Sequence, residues 1–220
     1  NFWFNTGQSA VFMRCSRPVQ NSGSQIEEDF FMSQAAAKNT QSSKFSVRDI
    51  CYTGLFAAVI AVMAQISIPM PLGVPMTMQT FAITLAAVVL GSKLSAMASL
   101  VYLILGAVGV PVLASFSGGI DKFVGPTGGF LISFPLMAYI IGLGVEHRNA
   151  FKGAFPLAVV VGTVVNYIVG VILFVIVAHS TVAVAISACV LPFIPTAIIK
   201  AVLACAIGLN IRKRIPGLKA

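Results

Sequence analysis

The feature that most limits this chain is a series of long apolar runs, at positions 50–68, 77–90, 94–110, 130–145, 155–178 and 194–211. A bilayer core is crossed by about 20 predominantly apolar residues in helical form. Away from water, an unpaired backbone amide is costly, so a helix is the simplest way for each run to satisfy itself. The composition agrees: 58% of residues are hydrophobic and 9% are charged, against about 25% charged in a soluble domain. These runs predict an all-α integral membrane protein of six transmembrane helices.

Helix breakers and polar clusters mark the ends of the runs. Pro69, Pro71 and Pro75 close the first. Gly91, Ser92 and Lys93 close the second, which is short and so begins inside a loop or stops below the surface. Glu146, His147, Arg148 and Asn149 close the fourth, and His179 and Ser180 the fifth. The stretch 181–211 is too long for one span, and Pro192 and Pro195 break it. It reads as a partly buried helical approach followed by a membrane helix at 194–211.

Residues 1–44 differ from the rest, with many Ser, Gln and Asn and the acidic cluster Glu27, Glu28 and Asp29. Their apolar pieces are too short to span, and the order is wrong for a signal peptide. They read as a disordered or extraneous extension, with a native start expected at Met32. The transmembrane domain is expected at 45–215.

The net charge is +8, and its placement is informative. Lys38, Lys44, Arg48, Lys93, Arg148, Lys152, Arg212, Lys213, Arg214 and Lys219 all flank apolar runs. With six spans and an internal N-terminus, the internal segments hold nearly all of these and the external segments hold Lys122. That bias predicts a cytoplasmic membrane protein with both termini cytoplasmic. No basic segment interleaves with aromatics, so nucleic-acid binding is not expected. Cys15, Cys51, Cys189 and Cys205 form no CxxC pair, so neither a disulfide framework nor a zinc site is implied. They fit the role of small apolar residues.

The most informative polar segment is 110–129, punctuated by Pro111, Gly118, Gly119, Gly125, Pro126, Gly128 and Gly129. A connection of this length is either a lid over a binding cavity or a plain solvated loop. It is not a phosphate loop, because GxxxxGK[ST] occurs nowhere. ATP-driven transport would therefore need a separate ATPase subunit.

Lys200 is the sharpest single candidate. It falls roughly 16 Å from the inner surface, near the bilayer middle. An intramembrane cation is costly and usually functional, and no Asp or Glu in the six runs can pair with it. Its partner is then a ligand carboxylate, or the side chain snorkels to the interface. Gln79 and Asn166 are amides that suit an amide or ureido ligand, with Thr84, Tyr102 and Tyr167 as further polar candidates. Helix-to-helix hydrogen bonding is the alternative for each. Ala57, Ala61 and Ala64 share a helix face with Ala58 beside them, which suits either internal packing or the docking of a partner helix.

Three segments, VPMTMQTFAITLAAVVLGSKLSAMASLVYLILGAVGVPV, SGGIDKFVGPTGGF and LPFIPTAIIKAVLA, resemble the BioY family. Its members are the biotin-specific S components of energy-coupling factor (ECF) transporters. The resemblance covers 45–211. It implies an S-component fold that captures biotin from outside and delivers it inward, with energy from a T transmembrane subunit and two ATPase subunits. It implies a substrate site that includes Gln79, Tyr102, Ser115, Thr127, Asn166 and Lys200, and a docking face for the T subunit at Ala57 and Ala61. The chain departs from the family pattern in three places. Ala197 stands where an Asp is usual, three residues before Lys200. Phe130 follows the GPTGG string in place of Tyr, and Ala114-Ser115-Phe116 replaces AGF.

Two other classes fit the sequence less well. A membrane enzyme lacks parts: His147 and His179 fall on opposite sides, and no carboxylate pair lies at membrane depth. No catalytic residue, metal or cofactor is expected. A transporter that works alone, or one for a related carboxylate-bearing vitamin, is the closer alternative.

Overall fold

The computed structural model describes residues 46–70, 74–148 and 153–214. The expected N-terminal extension and its start at Met32 lie outside the described residues, as do Lys38, Lys44, Lys152 and Lys219. The described part is mostly helical. In order it holds α1 (Val47–Ala64), β1 (Ser67–Ile68), β2 (Met76–Thr77), α2 (Gln79–Leu90), α3 (Ser92–Ala107), a 3-10 turn (Ala114–Phe116), α4 (Asp121–Val124), α5 (Gly128–Glu146), α6 (Ala154–Ala178), α7 (Val182–Cys189) and α8 (Phe193–Arg214).

Each apolar run yields a helix, with ends that local chemistry explains. At the start of α1, Ser46 N donates to Asp49 Oδ2 at 3.1 Å, so an acidic side chain serves the first turn. The first run was expected to stay helical to residue 68, but α1 stops at Ala64 and residues 67–68 form β1. Ile68 precedes Pro69, a position pushed toward extended geometry. β1 pairs antiparallel with β2, Ser67 opposite Thr77 and Ile68 opposite Met76. α3 ends before Gly109, whose φ of 103° only glycine adopts easily. The approach helix read from the sequence is α7.

α2 is the centre. All of its residues except Thr80 are buried, so it touches little lipid and has no polar face. Ala82, Ala86 and Ala87 on α2 let neighbouring helices come close. α1, α3, α5 and α8 pack against it. α5 and α6 also meet closely, where a side chain on Gly129 would strike the Val169 carbonyl of α6, 2.7 Å from its first carbon. The outer faces are apolar: Ile198, Ile199, Val202 and Leu203 of α8 are exposed, as are Val160, Val164 and Ile168 of α6. Among the described residues α1, α5, α6 and α8 are long and apolar enough to cross a membrane, while α2 and α3 are shorter.

At one end of the bundle α2 and α3 are joined by the single residue Gly91, with φ 85°. Two helix termini of opposite polarity meet there, and each is answered by a charge. Arg212 Nη1 donates to the carbonyls of Val88 at 3.1 Å and Val89 at 3.4 Å. A Glu146 oxygen accepts from Ser92 N at 2.7 Å and from Ser92 Oγ at 2.9 Å. Gly142 of α5 lies directly against this corner, and a methyl there would meet the Ser92 backbone.

That contact makes a test of the packing. Gly142→Ala is expected to lower stability by about 1–3 kcal/mol, since backbone cannot yield to the added carbon. Gly54→Ala on α1, with nothing within 4 Å of the new methyl, is expected to be neutral or stabilising. Thermal unfolding of the two variants in one detergent measures the contrast.

Candidate solute-binding site

At the other end of the bundle lies a cavity of about 390 Å³, within the usual range for small-molecule sites. The corner between β2 and α2 supplies Thr77, Gln79 and Thr80. The segment after α3 supplies Leu113, Ala114, Ser115 and Ser117, with Lys122 and Thr127 following. α5 contributes Phe130, Leu131 and Phe134; α6 contributes Asn166 and Tyr167; Cys189 ends α7; and α8 contributes Phe193, Thr196, Ala197 and Lys200. One side is therefore aromatic. Phe130 and Tyr167 meet edge to face at 6.4 Å and 80°, an arrangement that the ring quadrupoles favour.

The polar groups converge from three directions. Lys200 Nζ donates to the Thr77 carbonyl at 2.7 Å. Among the described residues the ion pair is that of Lys122 with Asp121 at 3.8 Å, and no carboxylate lies within that reach of Lys200. Two of its three N–H groups therefore remain for another acceptor. Gln79 is held at both ends of its amide: Thr77 Oγ1 donates to its Oε1 at 2.8 Å, and its Nε2 donates to the Tyr102 hydroxyl. Asn166 Oδ1 accepts from Ser133 Oγ at 2.6 Å, which leaves the Nδ2 donors free of described partners. The site thus offers a cation, two amides and an aromatic wall. That set can meet an anionic group, an amide-like group and an apolar body in one small solute.

The segment 112–117 is tied down by one side chain. Gln65, just past α1, donates from Nε2 to the carbonyls of Ala61 at 3.0 Å and of Val112 and Leu113 at 3.2 Å. Its Oε1 accepts from Phe116 N at 2.7 Å. Ser115 and Phe116 both have left-handed backbones, with φ of 57° and 54°, a costly state for residues with side chains. The Ser115 hydroxyl faces that of Ser67 at 2.9 Å.

Five of the six expected substrate residues line this cavity: Gln79, Ser115, Thr127, Asn166 and Lys200. Tyr102 does not. It is fully buried in the core with Ile60, Leu103 and Leu113, and it reaches the site only through Gln79. Thr84 lines a separate pocket of about 20 Å³, shared with Asn166, Tyr167 and Lys200. The sequence reading missed the wall of Phe130, Phe134 and Phe193 and the hydroxyls of Thr77 and Thr80. The spacing of Phe130 and Phe134, one helical turn apart, was the available signal.

The two alanines of the expected docking face lie toward the core side of α1. Ala57 is 3% exposed and belongs to the core, with Ala61 packed against that core. The register of α1 turns Ala57 inward with Phe56, Ile60 and Ala64. Gly54 and Ala58 are the small residues that α1 leaves exposed.

Fold and cavity together define a multi-pass helical membrane protein with a cavity whose lining suits a small amphipathic solute. The model of the BioY family matches residues 36–217. The chain belongs to the BioY family. It is similar to the biotin transporter BioY of Thermotoga maritima, 42% identical over 168 residues, which make up 76% of this chain and 97% of that one. It is also similar to the biotin transporter BioY of Rhizobium etli, 35% identical over 186 residues, 80% of this chain and 98% of that one. The crystal structure of an S-component for biotin from an ECF-type ABC transporter matches with a TM-score of 0.70 at 26% identity, covering 80% of this chain and 96% of that one.

The Gln65 tether is open to test. Gln65→Ala leaves the Phe116 amide without its acceptor and is expected to cost about 1–3 kcal/mol locally. Amide hydrogen exchange should accelerate at 112–117 and stay unchanged in α2.

Proposed function

We propose that this chain is the substrate-capture subunit of a biotin uptake transporter, binding biotin from outside the cell and passing it inward. The observation that carries this reading is Lys200: a cation in the cavity wall of a BioY-family chain, with no described carboxylate beside it. Biotin has one carboxylate, an apolar thiophane and a ureido ring. The carboxylate suits the free N–H groups of Lys200, the aromatic wall suits the thiophane, and the amides of Gln79 and Asn166 suit the ureido group. Ser115 and Thr127 add hydroxyls at the rim.

The same reading takes α1, α2, α3, α5, α6 and α8 as six membrane crossings in a cytoplasmic membrane. Basic residues then set the orientation. Lys93, Arg148, Arg212, Lys213 and Arg214 lie at or beyond the helix ends opposite the cavity, which supports both termini being cytoplasmic and the cavity opening outward. Energy is assigned to a T transmembrane subunit and ATPase subunits of an ECF transporter. A related carboxylate-bearing vitamin is the second reading, favoured by Ala197, which lines the cavity where the family pattern has Asp. Competition between biotin and such vitamins for the purified protein separates the two.

Lys200→Met keeps the apolar stem and removes the charge. It is expected to weaken biotin binding by about 2–3 kcal/mol, roughly 30- to 150-fold, and to weaken binding of biotin amide far less. Titration calorimetry with both ligands reads this directly, and equal losses would remove Lys200 as the carboxylate partner.

The partner face can be tested in cells. A bulky residue at an exposed small position, Ala58→Trp, is expected to leave biotin binding intact and abolish uptake, because a close helix crossing has no room for it. Ala57→Trp, in the core, is expected to lose both. Uptake that survives Ala58→Trp would place the partner elsewhere.

A further inference from the structure

Tyr102 lies outside the cavity, yet a chain of hydrogen bonds joins it to the cavity's cation. The Tyr102 hydroxyl on α3 accepts from Gln79 Nε2 on α2. Gln79 Oε1 accepts from Thr77 Oγ1 at 2.8 Å. The Thr77 carbonyl, at the end of β2, accepts from Lys200 Nζ on α8 at 2.7 Å. The Gln79 side chain is 4% exposed, and it sits between two hydroxyls, one on each end of its amide.

A glutamine normally has free rotation about several bonds, and its terminal oxygen and nitrogen are nearly the same size. An amide gripped at one end can swing and turn either face to a ligand. An amide gripped at both ends keeps its plane fixed and presents one remaining N–H and one remaining lone pair in set directions. Such preorganisation favours a ligand with the matching acceptor and donor. The second grip comes from a residue with 0% exposure, packed among Ile60, Leu103 and Leu113, which cannot itself move with the ligand.

We propose that Tyr102 is a positioning residue for ligand selectivity: with Thr77 it clamps the Gln79 amide so that the site reads a paired donor and acceptor on the ligand. This rests on the biotin-binding reading above. The ligand group read in this way is a cyclic urea, which carries a carbonyl and two N–H groups in one plane.

The experiment compares biotin with 2-iminobiotin, in which the ureido oxygen is replaced by nitrogen, and with biotin amide. Affinities for all three are measured for the wild type, Tyr102→Phe, Gln79→Ala and the double variant. Tyr102→Phe is expected to weaken biotin roughly 10-fold and 2-iminobiotin by about 2-fold or less, narrowing their ratio about 5-fold. The preference for biotin over biotin amide, which Lys200 sets, is expected to stay. In the double variant the imino ratio should narrow no further than in Gln79→Ala alone. Thr77→Val removes the other hydroxyl of the clamp at a position outside the core, and it carries the same expectation should Tyr102→Phe not fold. An equal loss for every ligand, or additive losses in the double variant, would make Tyr102 a packing residue and overturn the proposal while biotin binding by the wild type stands. A wild type that binds no biotin overturns both readings.

Discussion

The structure depends on a helix that has no polar side. Every residue of α2 but one is buried, so the neighbouring helices must enclose it rather than leave it to lipid. Apolar burial gives little drive between helices that could equally face lipid tails; close packing of small residues has to supply it. The alanines of α2 and the glycines where α5 meets α6 and the Gly91 corner serve that need. α2 is also too short to cross a bilayer alone. One end is closed by the turn at Gly91, and the other is extended by the β1–β2 pair. The cavity lies at that second end, where regular helix gives way to irregular backbone. Membrane proteins tolerate such backbone only where protein or a cavity covers it.

The electrostatics of the two ends differ for the same reason. Around Gly91 two charges have protein partners: Arg212 meets helix carbonyls, and Glu146 meets the Ser92 amide and hydroxyl. Around the cavity Lys200 has one backbone carbonyl, and Asn166 uses one end of its amide. Buried polar groups are costly when they are left partly satisfied, and a ligand that completes them recovers that cost. The closed end therefore contributes stability and the cavity end contributes binding.

Much of this was legible in the sequence because hydropathy and helix breakers are strong, local signals. The six runs each produced a helix, and the approach before Pro192 appeared as α7. Lys200 stood out because an intramembrane charge without a partner is rare. What the sequence could not supply was register. Ala57 and Ala58 are neighbours of the same type, and only the direction in which α1 faces α2 decides that Ala57 is core and Ala58 surface. The surroundings of Tyr102 were hidden for a related reason: a tyrosine in an apolar run signals a polar tip with a partner, but not whether that partner is a ligand or Gln79. The aromatic wall was hidden because Phe130, Phe134 and Phe193 look like ordinary apolar residues of a membrane helix. The end of α1 depended on β pairing across a proline-rich turn, which is a tertiary effect.

The Gly91 corner has a consequence for how such a protein can change over evolutionary time. A one-residue joint between two helices, braced by Arg212, Glu146 and the bare surface of Gly142, leaves no slack for an insertion or a larger side chain. The 108–127 segment at the opposite end, anchored by Leu113 in the core and by the Gln65 tether, keeps many exposed residues between those anchors. Change at the ligand end therefore strains the frame less than change at the corner, so loop variation is the less costly route to a new solute preference.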